Sequence, residues 1–223
     1  MLKANRKTLI IASIVTVLPA LIGILCWDRL PDVMATHFGI NNEADGFSSK
    51  AFAVFGLPAV LLAILWLVAF VTSQDPKRQN ISPKMFTLGL WIAPVVSLVI
   101  AATMYPVNLG YAVDISFFAE LLLGLLFIIV GNYLPKARQN YTIGIRIPWT
   151  LANEENWNRT HRLAGYLWMI CGVLMILLCL TRLLPAPWTV GLLLIMVLVP
   201  CGPKCSASFI FSVISLSIFS NSI

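Results

Sequence analysis

The residue types best suited to specific chemistry lie between Gly131 and Arg162, in the stretch GNYLPKARQNYTIGIRIPWTLANEENWNRTHR. Asn140, Arg146, Trp149, Asn153, Trp157, His161 and Arg162 supply amide, guanidinium, indole and imidazole groups there. Guanidinium forks suit carboxylates and phosphates, and indoles suit a boundary between apolar and wet surroundings. Tyr133 and Pro135 close an apolar run, Asn140, Tyr141 and Gly144 suggest a turn, and Ile143, Ile145 and Ile147 alternate in a short extended piece. Pro148 keeps Ile147 out of the helical region, and Thr150 or Asn153 can cap a helix whose first turn holds Glu154 and Glu155. On that helix Glu155 and Arg159, Trp157 and His161, and Asn158 and Arg162 each stand four apart, so a carboxylate-arginine face and an aromatic-imidazole face are predicted. Thr160 beside His161 is no nucleophile and base pair, because consecutive helix residues do not face each other. The segment therefore reads as a membrane-surface elbow, or as a face on which a cytoplasmic protein or an anionic ligand docks, and catalytic residues are not expected.

A second group lies earlier, in the polar loop after the first apolar run. Asp32, His37, Glu43 and Asp45 are candidate ligand contacts there, the alternative being that His37 fixes the loop by a hydrogen bond. Gly39 and Gly46 permit turns, and Ser48 or Ser49 can cap the next helix, so a compact ordered loop is expected. Glu120 stands about one turn into an apolar run, where a carboxylate must be paired, hydrated or turned inward, and it is a candidate proton or ligand contact. Gly124 and Gly131, seven apart, offer one face for close helix approach. Cys26, Cys171 and Cys179 fall in apolar runs as filler. Cys201 and Cys205 lack a second pair or a nearby histidine, so neither a metal site nor a cofactor is expected.

These groups must be positioned by membrane helices. Hydrophobic residues make up 59% of the 223 residues and charged residues 11%, too little polar side chain to clothe a soluble globule. The mean hydropathy is +0.90. Continuous apolar runs predict an all-α, polytopic helical bundle of the cell membrane, with spans at Leu9 to Trp27, Ala51 to Thr72, Phe86 to Tyr105, Ile115 to Leu134, Leu163 to Leu180 and Pro187 to Val199. Pro19, Pro58 and Pro94 are expected to kink the first three. The run from Phe209 to Phe219 is the alternative for a seventh span. Lys3, Arg6 and Lys7, then Lys77, Arg78 and Lys84, then Lys136, Arg138, Arg146, Arg159 and Arg162 fall in alternate loops, which predicts a cytoplasmic N-terminus. The net charge of +6 is then a matter of orientation and of anionic lipid headgroups, and it gives no reason to expect nucleic acid as a partner. Four stretches follow: residues 1–50, the first span and its outer loop; 51–134, three further spans; 135–162, the basic and aromatic elbow; and 163–223, the C-terminal spans and tail.

Two patterns resemble the bacterial SdpI family of multi-pass membrane proteins. One is LPxxxxxHF, then D-G and K, carried by Leu30, Pro31, His37, Phe38, Asp45, Gly46 and Lys50. The more specific one is GNYLPKxRxNYxxGIRxPWTLxNxxxWxxTHRxxG, from Gly131 to Gly165. Ile147 stands where that family commonly has a small hydroxylated residue, and the ending from Cys201 replaces a tyrosine-rich basic tail. The resemblance implies immunity without hydrolysis against a secreted toxin peptide met on the outer face. It also implies a receptor role in which a cytoplasmic transcriptional repressor is held at the membrane. A small proton-coupled transporter using Glu120, or an orphan membrane receptor, is the alternative, although no internal repeat supports a transporter.

Overall fold

The computed structural model describes residues 1–39, 41–183, 188, 189, 191 and 194. Its helices are α1 (Arg6–Leu25), α2 (Leu57–Ser73), α3 (Pro83–Asn108), α4 (Ile115–Tyr133), the short α5 (Pro148–Ala152) and α6 (Glu154–Thr181). Two strands, β1 (Val33–Phe38) and β2 (Ala44–Ser49), form an antiparallel hairpin between α1 and α2. Among the described residues five helical stretches are long and apolar enough to cross a membrane: Lys3–Leu25, Phe52–Ser73, Pro83–Asn108, Ile115–Lys136 and Glu154–Thr181. Their outward faces carry exposed Ile14, Leu21, Leu67, Phe70 and Leu177, which suits lipid and not water. The chain is an all-α polytopic membrane bundle apart from the hairpin. The expected sixth span lies almost wholly outside the described residues, as do the seventh-span alternative, Cys201 and Cys205.

The described residues fall into two compact units. The first comprises residues 1–74 and 82–122. In it α3 sends two hydroxyls to α1 carbonyls: Ser97 Oγ donates to Thr16 O at 2.7 Å, and Tyr105 Oη to Pro19 O at 2.9 Å. Such bonds hold helices together where apolar side chains gain nothing over lipid. Pro19 and Pro94 lie inside helices as expected, whereas Pro58 sits in the first turn of α2, just after a π turn at Phe52–Gly56. Leu30, Met34, Ala53, Val54, Ala101, Met104 and Tyr105 form the buried core under the hairpin.

The loop expected between the first two spans is this hairpin. Val33 faces Ser49, Met34 faces Ser48 and Ala35 faces Phe47, after which the register slips so that His37 faces Gly46. Gly39 N–H donates to Glu43 O across the turn, and Asn42 holds φ +64°. Asn42 Nδ2 donates to Asp114 Oδ1 at 3.0 Å while its Oδ1 accepts from Ser116 N–H at 2.8 Å, which ties the turn to the start of α4. Ser49 Oγ accepts from Phe52 N–H, the cap expected for the second span.

The second unit comprises residues 75–81 and those from Leu123 on. Here Gly124 and Gly131 of α4 meet Gly172 and Gly165 of α6. A Cβ on Gly131 would lie 2.8 Å from Gly165 O, and one on Gly172 would lie 2.5 Å from Gly124 O. The two glycine pairs, each seven residues apart on antiparallel helices, let the backbones touch. Leu134, Ile145 and Ala164 are buried beside this seam, with Val130, Ile147 and Trp168 packed against them.

Candidate functional site

The elbow is a folded structure with a buried polar centre. Its construction begins at Asn140, only 1% exposed, whose side chain closes the turn after α4. Oδ1 accepts from Thr142 N–H at 3.0 Å and Ile143 N–H at 2.6 Å, and Nδ2 donates to Arg138 O at 2.9 Å and Ile143 O at 3.0 Å. Gly144 follows with φ +124°, a conformation that L side chains rarely adopt. The turn delivers Ile145 to His161: its N–H donates to Nε2 at 2.9 Å. The other ring nitrogen, Nδ1, donates to Trp157 O at 2.8 Å, so the imidazole is neutral with its proton on Nδ1. Trp157 stacks on it with ring centroids 3.9 Å apart and donates from Nε1 to Ala137 O at 2.8 Å. Trp157 and His161 are both fully buried. The predicted aromatic-imidazole face is thus the inward face of α6.

The expected extended piece at residues 143–147 has no strand partner. Its main chain is bonded by side chains: His161 takes Ile145 N–H, while Thr150 Oγ1 donates to Ile145 O at 2.7 Å and accepts from Ile147 N–H at 3.1 Å. Asn153 is the N-cap of α6, accepting from Glu155 N–H at 2.7 Å and Asn156 N–H at 3.2 Å. Glu155 pairs with Arg159 one turn on, as the spacing predicts.

Residues outside the 131–162 stretch complete the elbow, and the spacing patterns do not reveal them. Asp75, 3% exposed, accepts from Tyr141 N–H and Thr142 Oγ1 at 2.8 Å each through Oδ2, and from Lys77 N–H at 2.7 Å through Oδ1. All three partners donate, which suits a carboxylate. Lys77 Nζ donates to Gln139 Oε1 and lies 5.5 Å from the Tyr141 ring centre. Gln139 Nε2 in turn donates to Thr150 O and Leu151 O at 2.9 Å. The loop after α2 is therefore stitched into the elbow. An acid directly before proline, as in Asp75-Pro76, favours a side-chain-closed turn and was the available signal.

Over this centre lies a cationic surface. Lys136, Arg138, Arg146, Arg159 and Arg162 are exposed, Trp149 is half-buried, and Arg146 Nη1 donates to Tyr141 O at 2.8 Å. The structure thus divides the elbow candidates: Asn140, Trp157 and His161 form the interior, Asn153 is a cap, and Arg146, Trp149 and Arg162 remain toward the surface.

The hairpin candidates have local partners. His37 Nδ1 pairs with Asp45 Oδ1 at 2.5 Å, and Lys50 Nζ lies 3.1 Å from Asp32 Oδ1. Glu43 is exposed at the turn. Glu120 is half-buried in the first turns of α4, within the first unit. Among the described residues no cluster of His, Cys, Asp and Glu has the makings of a metal site.

Comparison with known proteins matches residues 136–203 to the SdpI/YfhL protein family and residues 14–62 to a domain of unknown function, DUF1648. The first match contains most of the elbow. The chain is also similar to the immunity protein SdpI of Bacillus subtilis (strain 168), at 29% identity over 177 residues, covering 77% of this chain and 81% of that protein. No solved structure matches. With five described helices of membrane length and a folded elbow inside the matched segment, this chain is a multi-pass membrane protein that is similar to the SdpI/YfhL family over residues 136–203.

Proposed function

We propose that the protein is a membrane immunity protein that protects its cell against a secreted antimicrobial peptide by intercepting it at the membrane, without hydrolysing it. The observation that carries this reading is the likeness to the immunity protein SdpI over most of both chains. The basic loops orient the chain with its N-terminus and elbow in the cytoplasm and its hairpin outside, in a six-span topology. Asp32, His37, Glu43 and Asp45 then stand where a secreted peptide arrives. The exposed Arg146 and Arg162, with the half-buried Trp149, stand where anionic lipid and a cytoplasmic transcriptional repressor are met. The buried centre formed by Asn140, Trp157 and His161 keeps that surface in shape.

The test is depletion. Cells expressing the chain are mixed with the secreted peptide fraction of the source strain, and the medium and membranes are assayed for killing activity and by mass spectrometry. Killing activity should leave the medium, and the intact peptide should be recovered from the membranes. Recovery of cleaved peptide would replace interception with proteolysis, and undiminished killing activity in the medium would remove the immunity reading.

A further inference from the structure

The hairpin has two edges, and they are finished differently. Lys50 N–H donates to Asp32 O at 2.8 Å, next to the Val33/Ser49 pair. In an antiparallel ladder hydrogen-bonded and non-bonded pairs alternate, so Met34/Ser48 is a bonded pair and Ala35/Phe47 a non-bonded one. The main-chain groups of Ala35 therefore point out of the ribbon, and Asn108 takes both: its Oδ1 accepts from Ala35 N–H at 2.8 Å and its Nδ2 donates to Ala35 O at 3.0 Å. One carboxamide does at the β1 edge what a third strand would do. By the same alternation the N–H and C=O of Phe47 point out of the β2 edge, away from β1.

That open edge has none of the usual protection. The β2 sequence ADGFSS holds neither lysine nor proline, and the Phe47 side chain is 62% exposed. Residues 28–50 hold four acids, Asp28, Asp32, Glu43 and Asp45, against two bases, Arg29 and Lys50. We propose that β2 is a docking edge for an extended, cationic segment of the secreted peptide, which adds as a third strand through the main chain of Phe47 and rests an apolar side chain on its ring. This inference rests on the immunity reading and on the hairpin facing outward.

Proline at position 47 removes the outward N–H and leaves the Met34/Ser48 ladder bonds in place, whereas alanine keeps that N–H and removes only the ring. The dose of source-strain peptide that halves survival is measured for cells expressing the native chain, Phe47→Ala and Phe47→Pro at equal membrane abundance. Phe47→Pro should lose at least about tenfold of the protection and Phe47→Ala no more than about threefold, since the main chain supplies the affinity in strand addition. Native-like protection by Phe47→Pro, or equal loss in both variants, overturns the edge while leaving immunity standing. Failure of the native chain to protect overturns the immunity reading itself. Hairpin integrity is read from disulfide formation in a Val33→Cys, Ser49→Cys pair placed in the same backgrounds. A measurement independent of the proline variant is photo-cross-linking in the otherwise native chain: p-benzoylphenylalanine at position 47 should capture the peptide. Capture at position 36 only, or at neither, overturns the proposal.

Discussion

A methyl group on Gly144 would lie 2.4 Å from His161 Nε2 and 3.0 Å from the Trp157 ring, at a φ of +124°. Backbone strain of this kind costs about 1–3 kcal/mol before any clash is counted. Gly144→Ala should therefore destabilise the protein by about 3 kcal/mol or more, read as a lower thermal aggregation midpoint in detergent. Asp75→Ala leaves the Tyr141 and Lys77 N–H groups without their acceptor and should cost about 2–4 kcal/mol in the same assay. Native-like midpoints would show that the elbow is not held as described. At this scale the sequence was partly legible. The spacing of Trp157 and His161 announced a shared face, and Asn153 announced a cap, because both depend on the helix period alone. The bond from Ile145 to His161 spans sixteen residues and depends on the Gly144 turn, which no periodicity encodes. Asp75 is a loop acid, a type that is usually solvated, so nothing in its surroundings marks it as buried.

Helix α4 meets α6 through glycine, and the seam distinguishes glycines that matter from those that do not. A Cβ on Gly165 would lie 2.4 Å from Pro135 Cγ and 2.7 Å from Gly131 O, whereas one on Gly89 of α3 meets nothing within 4 Å. Gly165→Ala should cost about 1–3 kcal/mol by forcing the helices apart. Gly89→Ala should be neutral or stabilise by up to about 1 kcal/mol through helix propensity. Equal shifts in the two midpoints would contradict the seam. The spacing of Gly124 and Gly131 made one half of it legible, and the apolar runs made all five described spans legible, because membrane length and lipid leave few alternatives. The hairpin was visible only as a turn-rich loop: ADGFSS is poor in the branched and aromatic residues that mark strands. Its pairing is instead secured by Asn108 of α3, which bonds Ala35, and by the hairpin's own Asn42, which bonds the start of α4.

At the scale of the whole molecule, membrane-length helices are interrupted by two structured polar segments: an acidic hairpin held by asparagines, and a cationic elbow folded over a neutral, buried histidine. The composition announced the membrane, because so little polar side chain cannot clothe a soluble globule. The stitching of the α2–α3 loop into the elbow was not readable, because it joins residues more than sixty positions apart through side chains. The proposed immunity requires the cationic face of the elbow. Arg146 tests that face with little risk to the core, since its side chain is exposed and its described bond goes to Tyr141 O. The decisive measurement is survival of a sensitive bacterium challenged with the secreted peptide of the source strain, expressing either the native chain or Arg146→Ala at equal membrane abundance. Protection by the native chain, with a loss of at least about tenfold in Arg146→Ala, is the predicted result, in keeping with a lost charge-assisted contact. Native cells that die like those carrying an empty vector would contradict immunity, and Arg146→Ala cells that survive as well as native ones would contradict the role assigned to the elbow.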